Sequence, residues 1–338
     1  MSRPFSRYYV RLPLSLWCGL LLVLFNQHAT AQWQAFSASG EMHPRHEAGL
    51  VVVEKNLYLL GGRRIQPLDM LALDSGKWMT RAAPPIELHH FQPVFWQDRI
   101  IIAGALTGPY PGEKPVPNIY FYFPARDSWQ KGPEIPESRR RGAAGVVIVG
   151  DVLYLIAGTT NGHISGYVNW LDAFDLKKHT WQQLPDAPHS RDHFQAAVIG
   201  NKLYAAGGRQ TSQATKEVFT RLIPQIDVFD LQTNRWSVLP QLLPTPRAGN
   251  STLAVNGKLL VVGGESQRKS PAHNETEVYD PENQKWLSLP GLLQGRHGSG
   301  LGIADGYIWT ASGSGARGGK PELNSVERMP LPEIVNGL

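Results

Sequence analysis

Apolar residues along this chain keep no helical period. They gather in short runs ended by pairs of small residues, at Gly61-Gly62, Ala103-Gly104, Ala157-Gly158, Gly207-Gly208, Gly263-Gly264 and Ser312-Gly313. Tryptophan keeps a second beat in step with the pairs: Trp33, Trp78, Trp129, Trp181, Trp236 and Trp286 stand 45, 51, 52, 55 and 50 residues apart. The fourth unit displays the elements best. Residues 191–199 lead into a strand, Asn201 marks a turn, residues 202–206 form a second strand and Gly207-Gly208 ends it; past a long loop, residues 225–230 and 236–239 read as a third and fourth strand. Short apolar runs bounded by turn residues are the pattern of antiparallel strands. The glycine pair permits positive φ where the second strand ends, and the tryptophan offers a large apolar plate to a neighbouring unit.

Strand-bearing units repeated at about 40 to 55 residues predict an all-β, six-bladed β-propeller with four-stranded antiparallel blades. After Ser312-Gly313 a third strand is visible at residues 325–329 but no tryptophan follows, while residues 32–36 carry Trp33 before any blade has begun. The N-terminal segment is therefore expected to supply the outer strand of the sixth blade and close the ring without a free edge.

The first 31 residues stand apart. Arg3, Arg7 and Arg11 precede an apolar run over residues 12–25, and Ala29-Thr30-Ala31 forms a small-x-small site. This reads as a secretory signal peptide cleaved after Ala31, with a periplasmic or secreted destination; the apolar run is shorter than the roughly 20 residues that a spanning helix needs. Its removal takes away three arginines and no acid, so the formal charge falls from +5 to +2. No basic run interleaved with aromatics remains to suggest nucleic-acid binding. Cys18 is the sole cysteine, which excludes disulfides and thiolate chemistry from residues 32–338. Six units fill that span as a single domain.

The Gly-Gly after an apolar strand, the aromatic-Asp ending of Val228-Phe229-Asp230 and Val278-Tyr279-Asp280, and the tryptophan six residues beyond that Asp resemble a kelch repeat. Residues 32–338 as a whole resemble a six-bladed kelch propeller of the secreted bacterial type, with units two, three and six degenerate at the glycine pair.

Sixteen residues before the first member of each small pair stand Arg45, Arg141, Arg191, Arg247 and Arg296; the second unit places Glu87 there, with His89 and His90 close behind. Each precedes an innermost strand, and antiparallel connectivity puts them on the same face as the long loops after the small pairs, around the mouth of the central channel. In kelch repeats such an arginine often ties blades together. Yet five converging guanidinium groups repel one another without anionic partners, and arginine suits bidentate carboxylate recognition, so an anionic ligand is expected at this rim. Arg63, Arg209, Glu265 and Arg268 lie just past small pairs on the same face, and Tyr110, His163 and Tyr167 could offer aromatic surfaces to a sugar ring. The histidines lack a close pair at ligand spacing, so no metal and no other cofactor is expected. Asp192 and His193 have no nucleophile elbow beside them.

The resemblance implies two functions. One is a binding module taking an anionic carbohydrate such as sialic acid, or an acidic protein or peptide, through Arg45, Arg141, Arg191, Arg247, Arg296, Arg63, Arg209, Arg268, His89 and His90. The other is a cofactor-independent sugar isomerase similar to the periplasmic sialic-acid epimerase, with Glu265, His193 and Glu87 as acid and base groups; that enzyme's long insertion has no counterpart here. The copper-radical oxidases among exported kelch propellers need a Cys–Tyr crosslink that residues 32–338 cannot form.

Overall fold

A computed structural model describes Met1 and residues 32–331 apart from position 269; the expected leader and its cleavage point fall, Met1 apart, outside that range. Six four-stranded antiparallel sheets form six blades. Blade 1 runs Ala48–Val53, Asn56–Gly61, Leu68–Ala72 and Lys77–Arg81 from channel to rim. Blade 4, Gln195–Ile199, Lys202–Ala206, Asp227–Asp230 and Arg235–Val238, falls where its sequence predicts. Blade 6 ends as expected: Gln34–Phe36 pairs with Val326–Pro330, in the register Gln34↔Arg328 and Phe36↔Val326.

Successive side chains of a strand point to opposite faces, and both faces of a blade are covered by neighbours. Leu57 and Leu59 therefore pack toward blade 6, and Tyr58 and Leu60 toward blade 2. This is why the strands read as continuous apolar runs rather than alternating ones. Six apolar clusters result, one at each blade interface. The repeat tryptophans brace these interfaces: the indole N–H of Trp129, Trp181 and Trp236 donates to Ala82 O, Glu134 O and Pro185 O on the preceding blade.

A belt of peptide hydrogen bonds closes the ring at the start of the inner strands. The N–H of His90 donates to Glu47 O at 2.8 Å, Ala143 to His90 at 3.0 Å, His193 to Ala143 at 3.1 Å, Gly249 to His193 at 2.6 Å and Gly298 to Gly249 at 3.1 Å; Ala48 N–H then returns to Gly298 O at 3.0 Å. All six belt residues have φ between 51° and 62°, a left-handed conformation uncommon for residues other than glycine. At Gly298 the requirement is steric as well, since a Cβ would lie 2.6 Å from Glu47 N. Just beneath the belt, the Gln92 amide oxygen accepts from Val146 N and Ala196 N, and that of Gln195 accepts from Thr252 N.

Candidate functional site at the channel mouth

The five repeat arginines are buried inside the blades rather than open to the channel mouth. Each meets a carboxylate on the third strand of its own blade: Arg45 with Asp69, Arg141 with Asp172, Arg191 with Asp227, Arg247 with Glu277 and Arg296 with Glu327, at 2.5–2.7 Å. Each also donates to the carbonyl of the first small-pair residue, Gly61, Ala157, Gly207, Gly263 or Ser312. The expectation of five guanidinium groups waiting for an anionic ligand is corrected here. The chain supplies the anions, and burial leaves no free edge. Even so the charges persist: burial lowers Arg141 only to about 10, with Asp172 opposing.

The second blade is also corrected, by one residue. Leu88 O accepts from Gly62 N just as Arg45, Arg191, Arg247 and Arg296 accept from Gly313, Gly158, Gly208 and Gly264. Leu88, not Glu87, therefore holds the arginine position, and the small pair begins at Gly104, whose φ is 63°. Opposite it, where other blades carry the acid, Tyr120 pairs with Ile102. Blade 2 has lost both partners together and packs Leu88 and Tyr120 in one apolar cluster. Glu87 is half-buried and braces loops, accepting from Arg64 N at 2.6 Å and Gly108 N at 2.9 Å. Arg268 is exposed in a turn.

The site lies inward of these pairs. A cavity of about 370 Å³ opens at the mouth, lined by His46, Glu47, Arg63, His90, Tyr110, His163, Arg209, Phe219 and Glu265 among others. The left-handed belt conformation presents Glu47, His90 and His193 at the channel. The residues just past two small pairs add Arg209 and Glu265, which form a buried ion pair at 2.5 Å. Arg63 reaches Glu113 in the loop of blade 2. His163, from the hairpin tip of blade 3, sits 3.0 Å from the same carboxylate.

Electrostatics favour the ionised carboxyls of Glu265 and Asp192 and the neutral rings of His89, His90 and His193. Burial, with Arg63, lowers His89 to about 4. Burial also holds His90 well below its ordinary value, helped by His193 and His89, and lowers His193 together with Arg209. Burial works the other way on the acids, yet His297 and Arg209 bring Glu265 down to about 2, and His193 and Arg209 lower Asp192.

These shifts act in one direction on stability. As pH falls through 6.5, imidazoles of the unfolded chain take up protons that the folded rings resist, to about pH 4 at His89. Below 4.5 unfolded carboxylates do the same, while folded Glu265 stays ionised to about 2. Stability is thus full above 6.5 and is lost progressively below it. The melting temperature is expected to hold level from neutral to mildly alkaline pH and to fall steadily through the acid range; a profile level down to pH 4 would refute this.

Of the residues singled out from sequence, the cavity gathers Arg63, Arg209, Glu265, His90, Tyr110, His163 and, on its floor, His193. His89 lies behind, its Nδ1 2.6 Å from that of His90. Sequence reasoning missed Glu47 and Glu113 and gave His163 only an aromatic role. Glu47 was readable as the residue two beyond the repeat arginine, the belt position. Glu113 and His163 come from loops of irregular length, where no period applies.

Six blades, a buried arginine–carboxylate pair in five of them and one polar cavity at a channel mouth define a kelch-type propeller. The profile described as "KLHDC2/KLHL20/DRC7 Kelch-repeats domain" matches residues 90–302, more than half of the chain, and the chain belongs to the kelch-repeat family. It is similar to "Kelch-like protein terF" of Aspergillus terreus, 25% identical over 296 residues that cover 80% of this chain and 61% of that protein. "Kelch-like protein 15" of Danio rerio is 27% identical over 206 residues, 58% of this chain and 33% of that one. "Alpha-scruin" of Limulus polyphemus is 24% identical over 208 residues, with 58% and 21% covered. The chain thus spans 61% or less of the length of these relatives. The solved "Structure of YjhT" superposes with a TM-score of 0.72 at 15% identity, covering 85% of this chain and 95% of that one; the two share the fold.

Proposed function

We propose that this propeller is an exported binding protein that takes a small anionic carbohydrate in the mouth cavity. The observation that carries the reading is the cavity itself. Its volume, about 370 Å³, falls at the small end of small-molecule sites, fitting a sugar rather than a protein surface. The walls are preorganised, because Arg209–Glu265 and Arg63–Glu113 hold their polar atoms before any ligand arrives. Tyr110 and Phe219 give apolar surface for a sugar face. Exposed Arg317 and Lys320 make the lip basic, beside Arg64, which is paired with Glu322, so the ligand's carboxylate belongs at the lip and its hydroxyls belong inside.

Isothermal titration with N-acetylneuraminate, a uronic-acid oligosaccharide and an acidic peptide tests the reading. The acidic sugar is expected to bind with salt-sensitive affinity, and Arg317→Gln with Lys320→Gln to weaken it by about 0.5–1 kcal/mol per charge without lowering the melting temperature. Binding of the peptide alone, or affinity indifferent to salt, would remove the proposal.

One observation favours the isomerase as a second reading. His90 Nε2 and Glu47 Oε2 lie 3.3 Å apart and both line the cavity, a neutral base beside an ionised carboxylate. Accelerated interconversion of the anomers of N-acetylneuraminate by the full chain, lost in His90→Gln, is the expected result; a rate equal to the uncatalysed one excludes it.

A further inference from the structure

Two of the buried imidazoles are in a position that the two protons of neutral rings do not satisfy. Asp192 Oδ1 lies 2.5 Å from His193 Nδ1, His193 Nε2 lies 3.0 Å from His163 Nε2, and His163 Nδ1 lies 3.0 Å from Glu113 Oε1. Three contacts join these four groups, and two neutral rings bring one N–H each. Two protons cannot serve three contacts, and His163 Nδ1 is buried without a hydrogen-bond partner, which is costly. Something positive is missing from the line.

The surroundings point the same way. Glu47, Glu113, Asp192 and Glu265 are buried around the cavity floor, against two arginines, Arg63 and Arg209, so the carboxylates outnumber the guanidinium groups by two. His90 completes the cluster: its ring is 4.7 Å from that of His193 and 5.2 Å from that of His163, and one ring nitrogen from each of the three falls within 4.8 Å of the others.

We propose that His90, His163 and His193 are the protein ligands of a divalent transition-metal site on the floor of the mouth cavity, of the zinc class. Three imidazoles with an open position suit that ion, whose bonds of about 2.0–2.1 Å to nitrogen place tetrahedral ligand atoms about 3.4 Å apart. The facing Nε2 atoms need to part only slightly to admit it. Carboxylates behind the ligands, Asp192 on His193 and Glu113 on His163, orient the rings as outer partners of metal-bound histidines do; Asp192 is itself fixed by Thr211, which donates from its backbone N and from Oγ1. The cavity leaves the remaining position open to water or to ligand. The site stands on these residues alone and does not depend on which sugar, if any, the cavity takes.

The test is zinc titration of the full chain after chelator treatment, with bound metal measured by mass spectrometry and elemental analysis. The expected result is one zinc per chain at submicromolar free metal, a higher melting temperature and release of the ion on acidification. His163→Gln with His193→Gln is expected to abolish uptake, and Asp192→Asn to weaken it by about 10- to 100-fold. His179→Gln, at an exposed turn, should leave it unchanged. Because wild-type protein is itself titrated, a folding defect in a variant does not decide the matter. Wild-type protein that takes up no zinc at micromolar free metal, or takes it up equally in the double variant, overturns the site and leaves a shared proton in its place.

Discussion

Replacing Arg247 by leucine is expected to cost about 3–5 kcal/mol of stability, the range for breaking a buried ion pair by deleting one partner. Glu277 would remain buried without its cation, and the carbonyls of Gly263, Val261 and Thr245 would each lose a donor. Adding Glu277→Tyr is expected to recover more than half of the loss. That pair reproduces Leu88 and Tyr120, with which blade 2 fills the same two positions, and well-packed apolar replacements of buried ion pairs are often neutral. Urea midpoints at unchanged slope would measure both effects. A single variant within about 1 kcal/mol of wild type, or a double variant no better than the single, would show that the arginines do not hold the blades. The pairs would then have to be reconsidered as part of a binding surface.

A chain begun at Ser37 is expected to melt far below one begun at Gln32. Trp33 is buried between blades 5 and 6, where it packs with Leu260, Val278 and Met329 and donates to Thr276 Oγ1 at 2.9 Å. Loss of a buried tryptophan costs about 3–5 kcal/mol by itself. The shortened chain also loses the Phe36 edge contact with Trp309 at 4.9 Å and uncovers the third strand of blade 6 as a free edge, a template for association. Melting curves and sedimentation would read the two consequences separately. A shortened chain that is monomeric with an unchanged midpoint would mean that the ring closes without this strand.

What was legible in the sequence is what repeats. The tryptophan beat and the strand ends it accompanies placed the blades, and the surplus Trp33 segment placed the closure, because each blade must present the same surfaces to its neighbours. The arginine partners were legible too. Asp172, Asp227 and Glu277 each stand three residues before a strand-ending aspartate, yet with the arginines read alone the repulsion among them pointed to a ligand instead of to an acid of the same blade. In blade 2 the expectation slipped by a residue because Ala103-Gly104 satisfies the small-pair pattern as well as Gly104-Ala105. His163 and Glu113 were beyond reach for a different reason: loops that share no length share no register, and only the folded ring brings a hairpin tip of blade 3 against the belt of blades 2 and 4.

The belt also sets what the channel can be. Above it lies the mouth cavity; below it, walled by inner strands from Leu50 to Ile303, lies a second space of about 420 Å³, and the gap between them at the belt is about 30 Å³. That is room for about one water molecule, with the Gln92 and Gln195 amides spanning the passage beneath. The propeller is consequently a cup rather than a pipe. A sugar-sized molecule that enters the mouth must leave by it, so a lid or partner seated on that face would govern both its arrival and its departure, and one held on the opposite face could not compete for the same space.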